Sequence, residues 1–441
     1  MQISKNKKFQ YTFFLILANY IILNGGNSNL LIQLNFILVA LFFLFCLNDK
    51  NYKAHLYICY LNNKKSILFY LIFLLFLVFQ ILPLPVGLIE ILSPEKYKFL
   101  NMINGVSSST ISLSPSNSFF QLLNFSTLLL FVFLLNMIFY TERHKYRFYV
   151  FLSFSGFISA IVAVLFYLYG NPDFFIFKNS NYKNASSGFF INRTVLSVFL
   201  LFCLMSSLEL LKNFERIKIN HKKDNFFLKI YIRLFIVFIT IGIITSFSRI
   251  ANFLLIITVF FYFFREIFII KSKNSNFKLI LLLILIFDFL IIGFYFGASE
   301  LFDRFYFLKE DFSSIPGDIS AVSRFDIIKF SIKEFNNFIL FGYGAGSFEN
   351  LFQLKFINSG NLFANHAHSD LFEFLGEFGI VGLSILLLSL IKFCFIVGSK
   401  FLNILLIFYL GLILFFDFSL HIPIIQILFI TSFYFSRKFT Q

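Results

Sequence analysis

Charge is what this chain has least of. Only 13% of its 441 residues are Asp, Glu, Lys or Arg, about half the share found in a soluble domain. With 59% of residues hydrophobic, there is too little polar surface for a soluble globule of this size, which excludes an ordinary soluble enzyme. Tryptophan is absent, whereas phenylalanine occurs 74 times. Phe, Ile, Asn and Lys share AT-rich codons, so this abundance reads as codon bias and not as a stacking platform for bases. The four cysteines, Cys46, Cys59, Cys203 and Cys394, lie in or beside apolar runs with no pairing spacing, so no disulfide framework is implied. No small-residue cleavage site follows Lys5, Lys7 and Lys8, so the first apolar run reads as an uncleaved span. No internal repeat and no second soluble domain is evident.

What is present is long apolar runs. Segments of 18 residues or more with few charges can cross a ~30 Å hydrocarbon core as helix. The runs predict an all-α, polytopic membrane protein with about twelve transmembrane helices, at 11–25, 30–47, 67–82, 119–140, 148–169, 189–211, 230–247, 250–270, 278–298, 371–393, 401–416 and 420–436. The chain then divides into transmembrane helices 1–9 (1–298), one long loop with amphipathic helices (299–370) and transmembrane helices 10–12 (371–441). The formal net charge of +15 reads as topology and not as nucleic-acid binding. Lys and Arg concentrate in alternate loops (the N-terminus, 48–66, 141–147, 212–229, 265–277, 392–400 and the C-terminus). The positive-inside rule makes those loops and both termini cytoplasmic. The turn Ser246-Phe247-Ser248-Arg249, the pair Asn192-Arg193 and the loop 299–370 then share the outer face. Within that loop, apolar residues at 325, 328, 332 and 335 predict a helix over 323–338. Gly342-Tyr343-Gly344-Ala345-Gly346 reads as helix punctuation. It is no P-loop, since no Gly-Lys-Ser/Thr follows.

The chemistry-bearing residues gather at the edges of the apolar runs. His366 and His368 stand at i, i+2 beside Asp370, where a helix begins, and histidine is the side chain best matched to proton transfer near neutral pH. A competing metal reading sets His366 and Asp370 at i, i+4, with Glu373 and Glu377 further along the helix. There is no HExxH and no other dense ligand cluster, so neither metal nor cofactor is expected. Arg249 sits in a very short turn, where it either snorkels or serves a ligand. Arg193 stands near the outer end of its run, and Arg324 opens the loop helix. A guanidinium grips phosphate oxygens bidentately, so arginines sharing a face with a histidine suit a lipid diphosphate.

The ordered set Arg324-Phe325-Asp326-Ile327-Ile328, Gly342 to Phe348, His366 to Leu371 and Glu377 to Leu383 resembles the O-antigen ligase and O-antigen polymerase superfamily. Weaker matches are Pro83-Leu84-Pro85, Gly188 to Arg193, Ser248-Arg249 and Asp417 to Pro423, so that the resemblance runs from about 75 to 430. It implies a GT-C-like, metal-independent, inverting glycosyltransferase of the bacterial inner membrane with a periplasmic active site. The implied donor is an undecaprenyl-diphosphate-linked glycan, and the acceptor is lipid A-core for a ligase or a lipid-linked glycan for a polymerase. Besides these and membrane lipid, no nucleic-acid partner is expected. His368 and Arg249 carry over as catalytic, with Arg193, Arg324, His366 and Asn192 binding substrate. One departure is Ser369, where the family pattern has Asn. The competing class, a flippase or other transporter, predicts mid-span charges and repeated halves. Here Asp288 is one of few mid-span charges.

Overall fold

The computed structural model describes residues 2–103, 106–172, 185–213, 222–269, 277–284, 286, 324–356, 364–395 and 400–436. Most of these residues are helical. The chain opens with α1 (Gln2–Ile22), α2 (Asn29–Cys46) and α3 (Lys50–Ile81), then two short helices, α4 (Val86–Leu92) and α5 (Pro94–Leu100). Next come α6 (Pro115–Ile138), α7 (Glu142–Leu168), α8 (Arg193–Asn213), α9 (Lys222–Thr245) and α10 (Arg249–Phe264). After α11 (Arg324–Asn337) and α12 (Phe348–Lys355), the chain ends in α13 (Asp370–Phe395), α14 (Lys400–Phe416) and α15 (Pro423–Ser436). Among the described residues eight helices are long and apolar enough to cross a membrane, while α14 and α15 are shorter apolar helices. This is an all-α polytopic membrane protein. Helices α1–α3, α6–α10 and α13–α15 coincide with expected spans. The remaining one, 278–298, lies mostly outside the described residues, as do Asp288 and loop residues 299–323 and 357–363.

Two expected loops are helix instead. Residues 50–66 continue into the apolar run as one helix, interrupted at Asn63, where φ is −126° and ψ 20°. Residues 142–147 form the first turns of α7, because the Thr141 side chain accepts a hydrogen bond from His144 N and starts the helix there. Hydropathy marks where a helix enters lipid, not where its hydrogen bonding begins.

Helix α8 is the axis of the bundle. It is buried along most of its length and packs against α7, α9, α10 and α15. Close approach to α7 requires Gly156, where an added Cβ would stand 2.4 Å from Cys203 Cβ. Small residues at helix crossings are how apolar helices gain contact without a hydrophobic driving force. The far end of α8 carries Glu209, with Arg265 and Lys212 at 3.4 and 3.6 Å and a hydrogen bond donated by Tyr262. Arg193 opens the other end, so α8 separates a basic-and-acidic cluster from the arginine end by its full length.

A smaller apolar core lies under the loop elements. It gathers Ile327, Phe330, Phe338, Tyr343, Phe348 and Phe352. Helix α11 therefore buries the face of Ile327, Phe330, Ser331 and Glu334. The apolar positions read from the sequence, 325, 328, 332 and 335, point the other way, and Phe325 and Ile332 are 41% and 40% exposed. Glu334 explains the reversal. Its buried carboxylate is paired with Lys355 at 2.7 Å, and Lys355 reaches Glu95 at 2.7 Å as well, tying α5, α11 and α12 together. Hydrogen bonds from Lys355 and Lys98 hold the Glu95 carboxyl below its usual range. In the same layer Leu84–Pro85 pairs with Ser108–Ser109 as a two-residue antiparallel ladder.

This layer docks on α13 at a break. Gly379 has φ 64° and ψ −177°, and there the helix gives up its own ladder. Ile380 N and Val381 N donate to Ile339 O and Leu340 O, while Tyr343 N and Gly344 N donate to Gly376 O and Glu377 O. Gln80 of α3 closes the seam, donating to Phe341 O and Glu377 O and accepting from Ala345 N. The glycine-rich turn is thus a docking strip for a broken helix, more than punctuation.

Candidate functional site

Four of the residues singled out in the sequence line one cavity of about 460 Å³: Arg193, Arg249, Arg324 and His368. They come from four separate parts of the chain, and the local structure explains how each arrives. Arg193 and Arg249 open α8 and α10, and Arg324 is the first described residue of α11. Asn192 sets the start of α8, its side-chain oxygen accepting from Thr194 N at 2.7 Å. The α9–α10 turn is stitched to the same place by hydroxyls. Ser197 donates to Ser246 Oγ at 2.7 Å, Ser248 N donates to Ser246 Oγ, and Ser248 Oγ reaches Thr194 Oγ1 at 3.3 Å. Phe247 takes a left-handed φ of 51° to make the corner, a conformation uncommon for a bulky residue. The two arginines are therefore held at one edge by the network that closes the turn.

His368 also has a left-handed backbone, φ 55°. The segment before α13 is fixed on both sides. Ser369 Oγ donates to Leu414 O, and Asp370 N donates to Asp417 O. Ser369 thus satisfies a carbonyl at the C-terminal end of α14, one of the orphan acceptors every helix leaves. Asp417, beside that end, lines the cavity too. Burial pushes its carboxyl up, against hydrogen bonds from Ser419 and the field of Arg324. Apart from the hydroxyls of Thr194 and Ser248, the rest of the cavity wall is apolar, including Ile250, Phe253, Ile328, Phe415 and Phe416. Phe253, Phe415 and Phe416 are more than half exposed, so the cavity has an open aromatic flank.

The electrostatics favour an anion. Helix N-termini carry positive partial charge, and a cation there is placed at the unfavourable end of the dipole by about 0.3–1 kcal/mol. Two arginines at such positions around one cavity add to the field of the N-termini. A phosphate group receives both contributions at once.

His366 and Asn192 do not line this cavity. His366 stacks on Phe418 at 4.7 Å, and its Nδ1 lies 2.9 Å from Glu373 Oε1. Phe418 also meets His368 in a T-shaped contact at 5.4 Å, so one ring touches both histidines. Asn192 starts α8 next to Arg193. The sequence reading also missed a dense ligand cluster. His366, Glu373 and His421 bring potential metal-ligand atoms within 4.8 Å of one another. His421 stands 48 residues beyond Glu373 in the chain, so no local spacing announces it. The only signal was the segment Asp417-Phe418-Ser419-Leu420-His421-Ile422-Pro423.

Residues 234–387 match the family model described as O-antigen ligase. The match takes in Arg249, Arg324, His366, His368 and α13 as far as residue 387, including its break at Gly379. It is narrower than the resemblance from 75 to 430 and leaves out Arg193 and the segment from Asp417 to Pro423. Over these residues the match agrees with the resemblance read from the sequence. No protein of curated function matches the chain.

Proposed function

We propose that this chain, which carries the O-antigen ligase family domain over residues 234–387, transfers a glycan from an undecaprenyl-diphosphate donor to an acceptor hydroxyl, lipid A-core in the ligase form. The observation that carries the reading is the convergence of Arg193, Arg249, Arg324 and His368 on one cavity with an apolar wall. Its ~460 Å³ falls within the roughly 300–1,000 Å³ of small-ligand sites. The exposed aromatic flank offers the prenyl chain a way out into lipid.

In this reading the arginines hold the diphosphate through charge-assisted hydrogen bonds, each contributing about 1.5–3 kcal/mol. The acceptor oxygen attacks the anomeric carbon from the face opposite the diphosphate. The new C–O bond forms as the C–O bond to phosphate breaks, and the anomeric configuration inverts. His368 takes the acceptor's proton, and the bonding pair leaves on the diphosphate oxygen. Guanidinium groups supply the positive charge that the leaving group needs, so the transfer is metal-independent. The basic loops lie in the cytoplasm of a bacterial inner membrane, and the cavity opens to the periplasm.

Purified protein given lipid-linked glycan is expected to glycosylate lipid A-core and release undecaprenyl diphosphate. Transfer to a second lipid-linked repeat unit instead identifies a polymerase, with the same residues in the same roles. Translocation of donor with no glycosidic bond formed identifies the transporter class and refutes the enzyme reading.

A further inference from the structure

Next to Phe418, whose ring stacks on His366, lies a second and more deeply buried constellation. His366 Nδ1 is 2.9 Å from Glu373 Oε1. His421 Nε2 is 3.4 Å from that same oxygen and 3.6 Å from Glu377 Oε2. Around a tetrahedral zinc with bonds of about 2.0–2.2 Å, neighbouring ligand atoms stand ~3.3 Å apart. The observed spacings bracket that value.

Three further observations point the same way. First, Asp370 engages His421 Nδ1, and a ring that donates there from its neutral form has its Nε2 lone pair free for a metal. A carboxylate on the far nitrogen is the arrangement that orients metal-ligating imidazoles. Second, His421 Nε2 and Glu377 Oε1 make no hydrogen bond, although their residues are only 6% and 1% exposed. Buried polar atoms are ordinarily satisfied, and His421 Nε2 is directed at Glu373 Oε1 and Glu377 Oε2. Third, Asp370, Glu373 and Glu377 are all buried, and among the described residues their recorded cationic partners are the two imidazoles alone. A divalent cation with two neutral imidazoles balances Glu373 and Glu377. Two nitrogens and two carboxylate oxygens suit zinc and its first-row neighbours better than calcium or magnesium.

We propose that His366, Glu373, His421 and Glu377 form a zinc-class divalent-cation site. The ion would pin the turn Ser419–His421 to the start of α13 and so fix Asp417 and His368 at the cavity. It touches no substrate, so metal-independent transfer stands or falls separately.

The test uses full-length protein in detergent, purified without a histidine tag, stripped with chelator and then given cobalt(II) or zinc(II) alone. One equivalent of cobalt per chain is expected, with the visible absorption of a four-coordinate nitrogen–oxygen site, displaced by zinc. Zinc should raise the thermal midpoint and chelator should reverse the rise. Glu373→Gln and His421→Gln should abolish the cobalt spectrum. Asp370→Asn, which removes only the orienting carboxylate, should weaken binding about 10–100-fold. Glu349→Gln on α12 should leave binding unchanged. The proposal is overturned if folded wild-type protein takes up neither metal, or if the cobalt spectrum survives in both ligand variants. Should those variants fail to fold, the wild-type stoichiometry and spectrum decide alone.

Discussion

Arg249 and Arg193 each stand at the positive end of their own helix, an electrostatically unfavourable placement that the proposed diphosphate would offset. Arg249→Lys keeps the charge and loses the fork that grips two phosphate oxygens. It is expected to lower transfer about 10–150-fold, the equivalent of one charge-assisted hydrogen bond of about 1.5–3 kcal/mol, in initial rates at saturating acceptor. His368→Ala is expected to lower kcat by about 10²–10⁴ while donor binding by a fluorescent lipid diphosphate is retained. Equal loss of binding and turnover would reassign His368 to holding the donor. These residues were legible in the sequence because ionisable groups at the ends of apolar runs are costly and therefore stand out. Asp417 and His421 were not, since they follow a short apolar helix and meet their partners only through the fold.

A further residue-scale expectation concerns Lys96, buried on α5 outside the spans. Its ammonium donates to Thr110 O and Ser112 O, both at 2.5 Å, and burial pulls its pKa down to about 8. An unfolded chain keeps the ordinary value near 10.4. Between pH 8 and that value the unfolded state therefore binds more protons, and stability rises with pH, by at most about 1.4 kcal/mol per unit. Thermal midpoints measured from pH 8 to 10 should climb, and Lys96→Met should flatten the trend.

At the scale of elements, the seam between the glycine-rich turn and α13 governs whether the cavity is closed over correctly. A Cβ at Gly342 would stand 2.2 Å from Glu377 O, and one at Gly379 2.3 Å from Leu340 O. Both glycines have left-handed φ, so Gly342→Ala or Gly379→Ala meets a backbone clash and an unfavourable conformation together. Each is expected to destabilise the protein by about 1–3 kcal/mol or more, read as a fall in thermal midpoint. It should also expose 339–344 to proteolysis before α8 is touched. A midpoint unchanged within error would mean that the turn is dispensable punctuation after all. Helix α11 shows why elements are harder to read than residues. Its period was legible, but its facing was not, because Glu334 is drawn inward by Lys355, which lies 21 positions along the chain. Apolar Phe325 and Ile328 are thereby released to line the cavity.

At the scale of the whole molecule, α8 and α10 run between two chemically opposite ends. One end holds Glu209, Lys212 and Arg265; the other holds Arg193, Arg249 and the cavity. Span count was legible because long apolar runs leave few alternatives to membrane-crossing helix. Which end faces which compartment rests on the loop charges alone, and it can be tested directly. Cys46, Cys59 and Cys203 are buried, so with Cys394→Ala the background should label little. In intact cells with a permeable outer membrane, a membrane-impermeant maleimide should modify Phe325→Cys, at an exposed position on the cavity edge, and spare Lys65→Cys. Broken cells should label both. Soaking with lipid diphosphate before labelling should protect Phe325→Cys if the arginines around it hold that headgroup. Labelling of Lys65→Cys in intact cells with Phe325→Cys spared would invert the protein, turn the cavity toward the cytoplasm and remove periplasmic glycan transfer as its function.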